Sequence, residues 1–331
     1  MGQKDSFSRA AAFALLLTCA APATAISFLI PQHKKDAAAC AAALERGDYS
    51  AAIAAGRKSV DLEKDYFDAR YCLGKAYAKA GMAARGIEQL RAALPLAETP
   101  NHTMVVNSDL GQLLQKEKEY VKALEHYDTA LAYAIVTRDQ RTRGLTLANI
   151  ASVFREQGND VKALEYYRRA VGEGEAADSG AAWNNMGNIL FAKNDFAGAL
   201  DAYTRAAALG EGMGDDLLAG IALLNAGNVM VAKKDFPAAE TKLSEGLART
   251  RKAGNKFWEA AANEYFGRLH AAAGDMAKAK EFFGGARDKY RANRNEYEAQ
   301  QMEMRLREIA AAGPANAAGA PGAVGAEPLP R

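Results

Sequence analysis

The stretch Trp183-Asn184-Asn185-Met186-Gly187-Asn188-Ile189-Leu190, followed by Phe196, Ala199, Tyr203 and Ala206, is one copy of a pattern that recurs seven times along the chain. Aligned on the small residue that opens each copy, the first column reads Cys40, Gly74, Gly111, Ala151, Gly187, Gly227 and Gly267. Twelve residues on stands a second small column, Ala52, Gly86, Ala123, Ala163, Ala199, Ala239 and Ala279. A bulky column follows four residues later, Gly56, Leu90, Tyr127, Tyr167, Tyr203, Leu243 and Phe283, and a third small one three beyond that, from Ser59 and Ala93 to Ala286. Each copy holds two apolar stretches of helical period around a polar turn such as Gln157-Gly158-Asn159-Asp160, which reads as helix, tight turn, helix. A lone hairpin of this kind cannot hide its apolar face. Small residues let the two backbones approach, and Tyr167 or Phe283 fills the gap beside them. Stacked neighbours then bury a continuous seam, and the outer units need polar caps. The pattern therefore predicts an all-α array of about seven helix-turn-helix repeats, explained by packing without any chemistry.

Trp183, Met186, Gly187, Leu190, Phe196, Ala199, Tyr203 and Ala206 resemble a complete tetratricopeptide repeat. That resemblance covers roughly residues 33–290 and implies a right-handed superhelical α-solenoid. Spacings along the first column are 34, 37, 40, 36, 40 and 40 residues, against about 34 for the standard unit. The stretched later copies, with Leu224-Asn225-Ala226-Gly227-Asn228, resemble the longer units of kinesin light chains and of adaptors in G-protein signalling, which grip extended peptides or partner helices. In the first copy Cys40 and Gly56 replace the expected glycine and aromatic, which reads as a degenerate cap.

The chain has 331 residues, with 42 basic and 40 acidic side chains mixed along it for a net charge of +2. This is no nucleic-acid footprint. Length alone allows two globular domains, but an array has no such boundary, and one elongated domain is expected. At the start, Lys4 and Arg9 precede an uncharged apolar run and Ala23-Thr24-Ala25 fits a small-residue cleavage site, so residues 1–25 read as an export signal. The alternatives are a membrane anchor over residues 10–30, a lipid attached at Cys19 after Leu16-Leu17-Thr18, and a plain cytosolic amphipathic end. An exported, periplasmic or secreted location follows from the first reading, and membrane association through the N-terminus from the next two. Residues 291–312 read as a capping helix, with Tyr290, Tyr297, Met304 and Ile309 available to pack and Arg305, Arg307 and Glu308 facing water. Residues 313–331, opening on Gly313-Pro314-Ala315, form a Gly, Ala and Pro tail with too little to bury, expected to be disordered.

Cys40 and Cys72 fall on first helices of adjacent repeats. The column positions put Cys40 in the core and Cys72 toward the concave side, so the sulfurs are not expected within the Cα separation of about 7 Å that a bridge requires. No cysteine pair has metal spacing, and no cofactor is predicted. His33, His102, His126 and His270 share no offset, and His270 sits in the aromatic slot three residues after Gly267, matching Tyr77 and Phe154, which predicts a packed ring. Gly210-Glu211-Gly212-Met213-Gly214 imitates a phosphate loop but follows no strand, so it reads as an interrepeat turn. Asn101-His102-Thr103 is a formal glycosylation acceptor. No nucleophile, base and acid converge, which argues against an enzyme.

The face left over by the packing columns lies on each first helix, two residues before the small column and one, four and five after it, on one side of the helix. In the fifth copy it carries Asn185, Asn188, Phe191 and Ala192, with Asn184 alongside; in the sixth, Asn225, Asn228, Val231 and Ala232. Amides beside exposed apolar side chains bond both N–H and C=O of an extended peptide. The resemblance implies the same role, since asparagines at these places in the longer units of the family bind cargo peptides. The alternative is that some amides only bridge neighbouring helices. Earlier copies offer Lys75 and Lys79 one turn apart, then Gln112, Gln115 and Lys116, then Asn149, Ser152 and Arg155, so that end reads as basic. A short acidic segment or terminal carboxylate fits there, as in chaperone-binding members of the family, although those carry asparagines where this chain has Gln112 and Ser108. Solvated lysines are the alternative.

These readings predict a non-enzymatic scaffold that binds an extended peptide or helix of a partner protein in its concave groove, in assembly of an envelope or secreted complex. A peptide-responsive regulatory sensor and an accessory subunit of an enzyme complex are the alternatives.

Overall fold

The computed structural model describes residues 30–312. The export signal, the anchor, the lipid site at Cys19 and the tail expected from the sequence fall outside them, apart from Ile30 at the anchor's end. The chain divides into two compact units between Leu96 and Ala97, where the sequence suggested one continuous array. The first unit holds α1 (Gln32–Glu45), α2 (Tyr49–Leu62), α3 (Phe67–Lys79) and α4 (Ala83–Ala93), closed by a short 3-10 turn at Leu94–Leu96. The second holds α5 (Pro100–Lys116), α6 (Tyr120–Thr137), α7 (Gln140–Glu156), α8 (Asp160–Glu173), α9 (Gly180–Ala192), α10 (Phe196–Met213), α11 (Asp216–Ala232), α12 (Phe236–Lys252), α13 (Lys256–Ala272), α14 (Met276–Ala292) and α15 (Glu296–Ala312). Among the described residues the chain is thus an all-α solenoid, two helix hairpins in one unit and five plus a closing helix in the other.

A repeated local device starts many of the helices. The residue before the cap turns left-handed, as at Gly158 and Asn194, and an Asn or Asp then accepts from the third backbone N–H ahead: Asn159 from Lys162, Asp195 from Gly198, Asp235 from Ala238, Asp275 from Lys278. Each such cap is worth about 1 kcal/mol. Inside the hairpins the small and bulky columns meet as expected. A Cβ added to Gly187 would lie 2.5 Å from Tyr203 and one on Gly267 2.6 Å from Phe283, so glycine is what lets the rings seat against the first helix.

Two expectations change. The Gly210 stretch is no turn: α10 continues to Met213, left-handed Gly214 ends it, and Asp215 caps α11. Gly210 is instead a buried close approach, where a Cβ would meet the Ala219 backbone nitrogen at 2.6 Å. At the other end Tyr290 closes α14 and is fully buried, and α15 begins only at Glu296. Its inward stripe is Ala299 and Met302, both buried, with Leu306 and Ile309 partly buried, packed on Phe283 and Tyr290. Tyr297 and Met304 lie two residues from that stripe, about 200° round the helix, and are exposed. No helix among the described residues is long and apolar enough to cross a membrane.

Candidate functional site

The position two residues before the small column reaches back to the preceding first helix. On α11, Asn225 donates from Nδ2 to Asn184 Oδ1 of α9 at 3.0 Å, and on α13 the Tyr265 hydroxyl donates to Asn225 Oδ1 at 3.0 Å. The same offset in the first unit is Cys72, which reaches α1 and forms a disulfide with Cys40, Cα to Cα 6.3 Å. The expectation that these sulfurs stay apart is therefore corrected. Reading the offset as open surface missed that successive first helices pack directly on one another, and the small residues of α1 allow the approach.

The amide-bearing face is likewise buried where it was expected to be open. Asn185, Asn188, Asn225 and Asn228 are all under a tenth exposed, and so are Phe191 and Val231. Asn188 Oδ1 accepts from the Tyr203 hydroxyl at 2.7 Å within its own hairpin. Burial pushes that phenol well above its ordinary pKa, so it remains a donor. Asn184 is half-buried at the edge of this network. The next repeat replaces amides by charge: Glu264 pairs with Arg268 in a buried salt bridge and accepts from the Tyr290 hydroxyl at 3.3 Å, while Arg268 stacks on Tyr265.

The open part of the second unit's first-helix face lies on α5 and α7. Gln112 and Lys116 are exposed, and Asn149 and Arg155 half-buried. Gln115 ties the two helices, accepting from Tyr127 at 2.9 Å and donating to Ser152 at 3.2 Å and Glu156 at 2.7 Å.

In the first unit the equivalent face forms a cavity of about 720 Å³ between α1 and α3. Lys75 and Lys79, the two basic residues singled out by the sequence, line it together with Lys34, Tyr49, Tyr66 and Tyr71. Sequence reasoning missed these last four. The signal for Tyr71 was its place three residues before Gly74, on the face already marked, whereas Lys34 comes from the other helix and had no periodicity to reveal it. Lys75 Nζ stands 5.2 Å from the Tyr71 ring centre and Lys34 6.0 Å from that of Tyr66. Glu45 and Asp68 line it as well, with Asp68 accepting from the Tyr66 hydroxyl at 2.6 Å. Burial and that carboxylate push the Tyr66 phenol up to about 12. Chemically this is a trough with aromatic walls, three ammonium groups and two carboxylates, a positive excess of one charge suited to a polypeptide that brings negative charge.

Two of the histidines are held by packing and hydrogen bonding. His270 stacks on Phe282 at 5.2 Å, as its slot predicted, and His126 shares a 2.8 Å hydrogen bond with Asn107. Asn101 is exposed in the first turn of α5.

Sequence patterns of the tetratricopeptide repeat match residues 42–81, 102–172 and 180–212. The chain is a tetratricopeptide repeat protein. Over 97 residues, 29% of its length, it is 35% identical to the Photosystem I assembly protein Ycf3 of Parasynechococcus marenigrum (strain WH8102), of which the match covers 53%. The repeat protein thus spans about half the length of the curated relatives it matches. Among solved structures it is similar to the apo form of the quorum sensor NprR from B. thuringiensis, with a TM-score of 0.59 at 15% identity, covering 87% of this chain and 91% of that one. It is also similar to a Rap protein complexed with Competence and Sporulation Factor, with a TM-score of 0.52 at 15% identity over 77% and 79% of the two chains. At these identities the likeness is one of fold.

Proposed function

We propose that this repeat protein is a non-enzymatic scaffold that holds an acidic, extended segment of a partner protein against its first helices. The cavity between α1 and α3 carries the reading, because Lys34, Lys75 and Lys79 all line it beside Tyr66 and Tyr71. Charge complementarity selects an acidic segment, the tyrosines accept apolar side chains beside it, and a free C-terminal carboxylate adds one more anion for the lysines. Exposed Gln112 and Lys116 on α5, with Asn149 and Arg155 on α7, form a second set of polar contacts in the other unit. Asn184, Asn185, Asn188, Phe191, Asn225, Asn228 and Val231 then act by fixing the shape of the face rather than by touching the partner.

Location outside the cytoplasm is part of the proposal. Two features support it: a start that reads as an export signal, and a Cys40–Cys72 bridge of the kind that persists in oxidising compartments. A role in assembly is supported by the name of the matched relative, a Photosystem I assembly protein, and the envelope or secreted setting by the export-signal reading alone.

The test is fluorescence anisotropy with Glu- and Asp-rich decapeptides, free or amidated at the C-terminus, against the wild type and the Lys75→Glu/Lys79→Glu double variant. Binding at least tenfold weaker in the variant, at unchanged melting temperature and with strong salt dependence, is expected. Equal affinities would end the reading.

A second reading, a peptide-responsive sensor, is favoured by the resemblance in fold to a quorum sensor and to a protein complexed with a signalling factor. Solution scattering separates the two: a changed envelope on peptide binding supports the sensor, an unchanged one the static scaffold.

A further inference from the structure

We propose that the Cys40–Cys72 bridge replaces the bulky wedge of the first repeat and makes the α1–α3 groove a redox-dependent binding surface. The proposal rests on the reading of that groove as a peptide site.

In five repeats the two columns interlock as glycine against a large side chain. A Cβ on the glycine would fall 2.8 Å from Leu90 at Gly74, 2.6 Å from Tyr127 at Gly111, 2.5 Å from Tyr203 at Gly187, 2.6 Å from Leu243 at Gly227 and 2.6 Å from Phe283 at Gly267. The first repeat inverts this order. Its small column carries Cys40 and its bulky column Gly56, where an added Cβ would lie 3.2 Å from Cys40 Sγ and 3.1 Å from Leu73 Cβ. Sulfur from the first helix thus occupies the space that a ring or leucine from the second helix fills elsewhere.

Apart from the bridge, α1 is held by the Ser59 hydroxyl donating to the His33 carbonyl at 2.6 Å, by the Lys58–Asp36 ion pair at 3.4 Å, and by small apolar side chains with Leu44 and Ile53 partly buried beside them. Its buried cluster is Cys40, Ala43, Ala52, Cys72 and Ala76, with no large side chain fully buried among them. The covalent link therefore does for α1 what Tyr127 or Tyr203 does by packing. The walls of the groove ride on the same two helices, Lys34, Ala37, Ala41 and Leu44 on α1, and Tyr71, Lys75 and Lys79 on α3. Cys72 itself lines the cavity and is 6% exposed, while Cys40 is 0% exposed.

Reduction consequently enters from the groove. The thiolate of a dithiol reductant attacks Cys72 Sγ, the sulfur–sulfur bond breaks, and Cys40 leaves as a thiolate that takes up a proton. The second thiol of the reductant then displaces Cys72 and the reductant departs as a cyclic disulfide, so two electrons and two protons pass to the protein. Freed of its link, α1 loses its register against α3, and Lys34 no longer shares one groove with Lys75 and Lys79. A bound peptide covers Cys72 and slows reduction by blocking the approach of the attacking thiolate.

The experiment uses the full chain, oxidised and after dithiothreitol, with hydrogen exchange read over residues 32–45, 83–93 and 256–272 and the acidic decapeptide as binding probe. Reduction is expected to speed exchange in α1 at least tenfold, leave α13 unchanged, and weaken the peptide at least fivefold; saturating peptide is expected to slow the reduction rate severalfold. Cys40→Ala/Cys72→Ala should match the reduced chain, and unchanged exchange over residues 83–93 (α4) as well as in α13 verifies that both units fold. Unchanged α1 exchange and unchanged affinity after reduction would overturn the proposal. Faster α1 exchange with no peptide bound in either state would leave the packing role of the bridge standing and refute the peptide reading beneath it.

Discussion

Asn225 Nδ2 donates to Asn184 Oδ1 across a gap of 41 residues, and Asn225 Oδ1 accepts from Tyr265 in the following repeat. One amide thereby links three successive first helices with its donor and its acceptor both used. Because the side chain is 5% exposed, losing either partner strands a polar group away from water.

Asn188→Ala removes the acceptor of the buried Tyr203 hydroxyl. A loss of about 1–3 kcal/mol is expected in urea unfolding of the second unit. Adding Tyr203→Phe to the Asn188→Ala variant should then cost little more, and a double-mutant cycle showing full additivity would dismiss the bond.

Glycine has opposite value at two helical sites. Gly187→Ala drives a Cβ to within 2.5 Å of Tyr203 and is expected to cost about 1–3 kcal/mol. Gly284→Ala, in the middle of α14 with nothing within 4 Å, should gain about 0.5–1 kcal/mol. Thermal melts of the two variants should shift in opposite directions.

The buried Glu264–Arg268 pair is expected to behave as a unit. Arg268→Met leaves Glu264 charged without its counterion and should cost about 3–5 kcal/mol, most of which Glu264→Gln restores. Chemical denaturation of the single and double variants checks this.

Glu173 on α8 takes hydrogen bonds from Arg169 and from Arg143 on α7, and Arg169 first, then Arg143, hold its carboxyl below the usual range. A depressed folded pKa means that its stabilisation is complete above the unfolded value of about 4.3 and is lost as pH falls through the lower folded one. The melting temperature of the wild type should drop over that acid window, and Glu173→Gln should flatten the drop.

Helix order, hairpin boundaries and the glycine-against-ring wedge were legible because each is written as a column: the same residue class at a fixed offset in several copies. Contacts between copies were not. Asn225 with Asn184 and Cys72 with Cys40 depend on how far one hairpin is translated along the next, which spacing within a repeat does not encode. The offset that looked like open surface on one isolated helix is the seam between two. Lys75 and Lys79 were readable as a pair one turn apart on one helix, whereas Lys34, brought to them from α1, was visible only in three dimensions.

The most direct test of the groove is a hydrogen-exchange footprint of the oxidised full chain with the acidic decapeptide bound. Protection is expected over residues 32–45 and 67–79, the helices bearing Lys34, Lys75 and Lys79. Protection confined to the second helices of the hairpins, or none at saturating peptide, would contradict it.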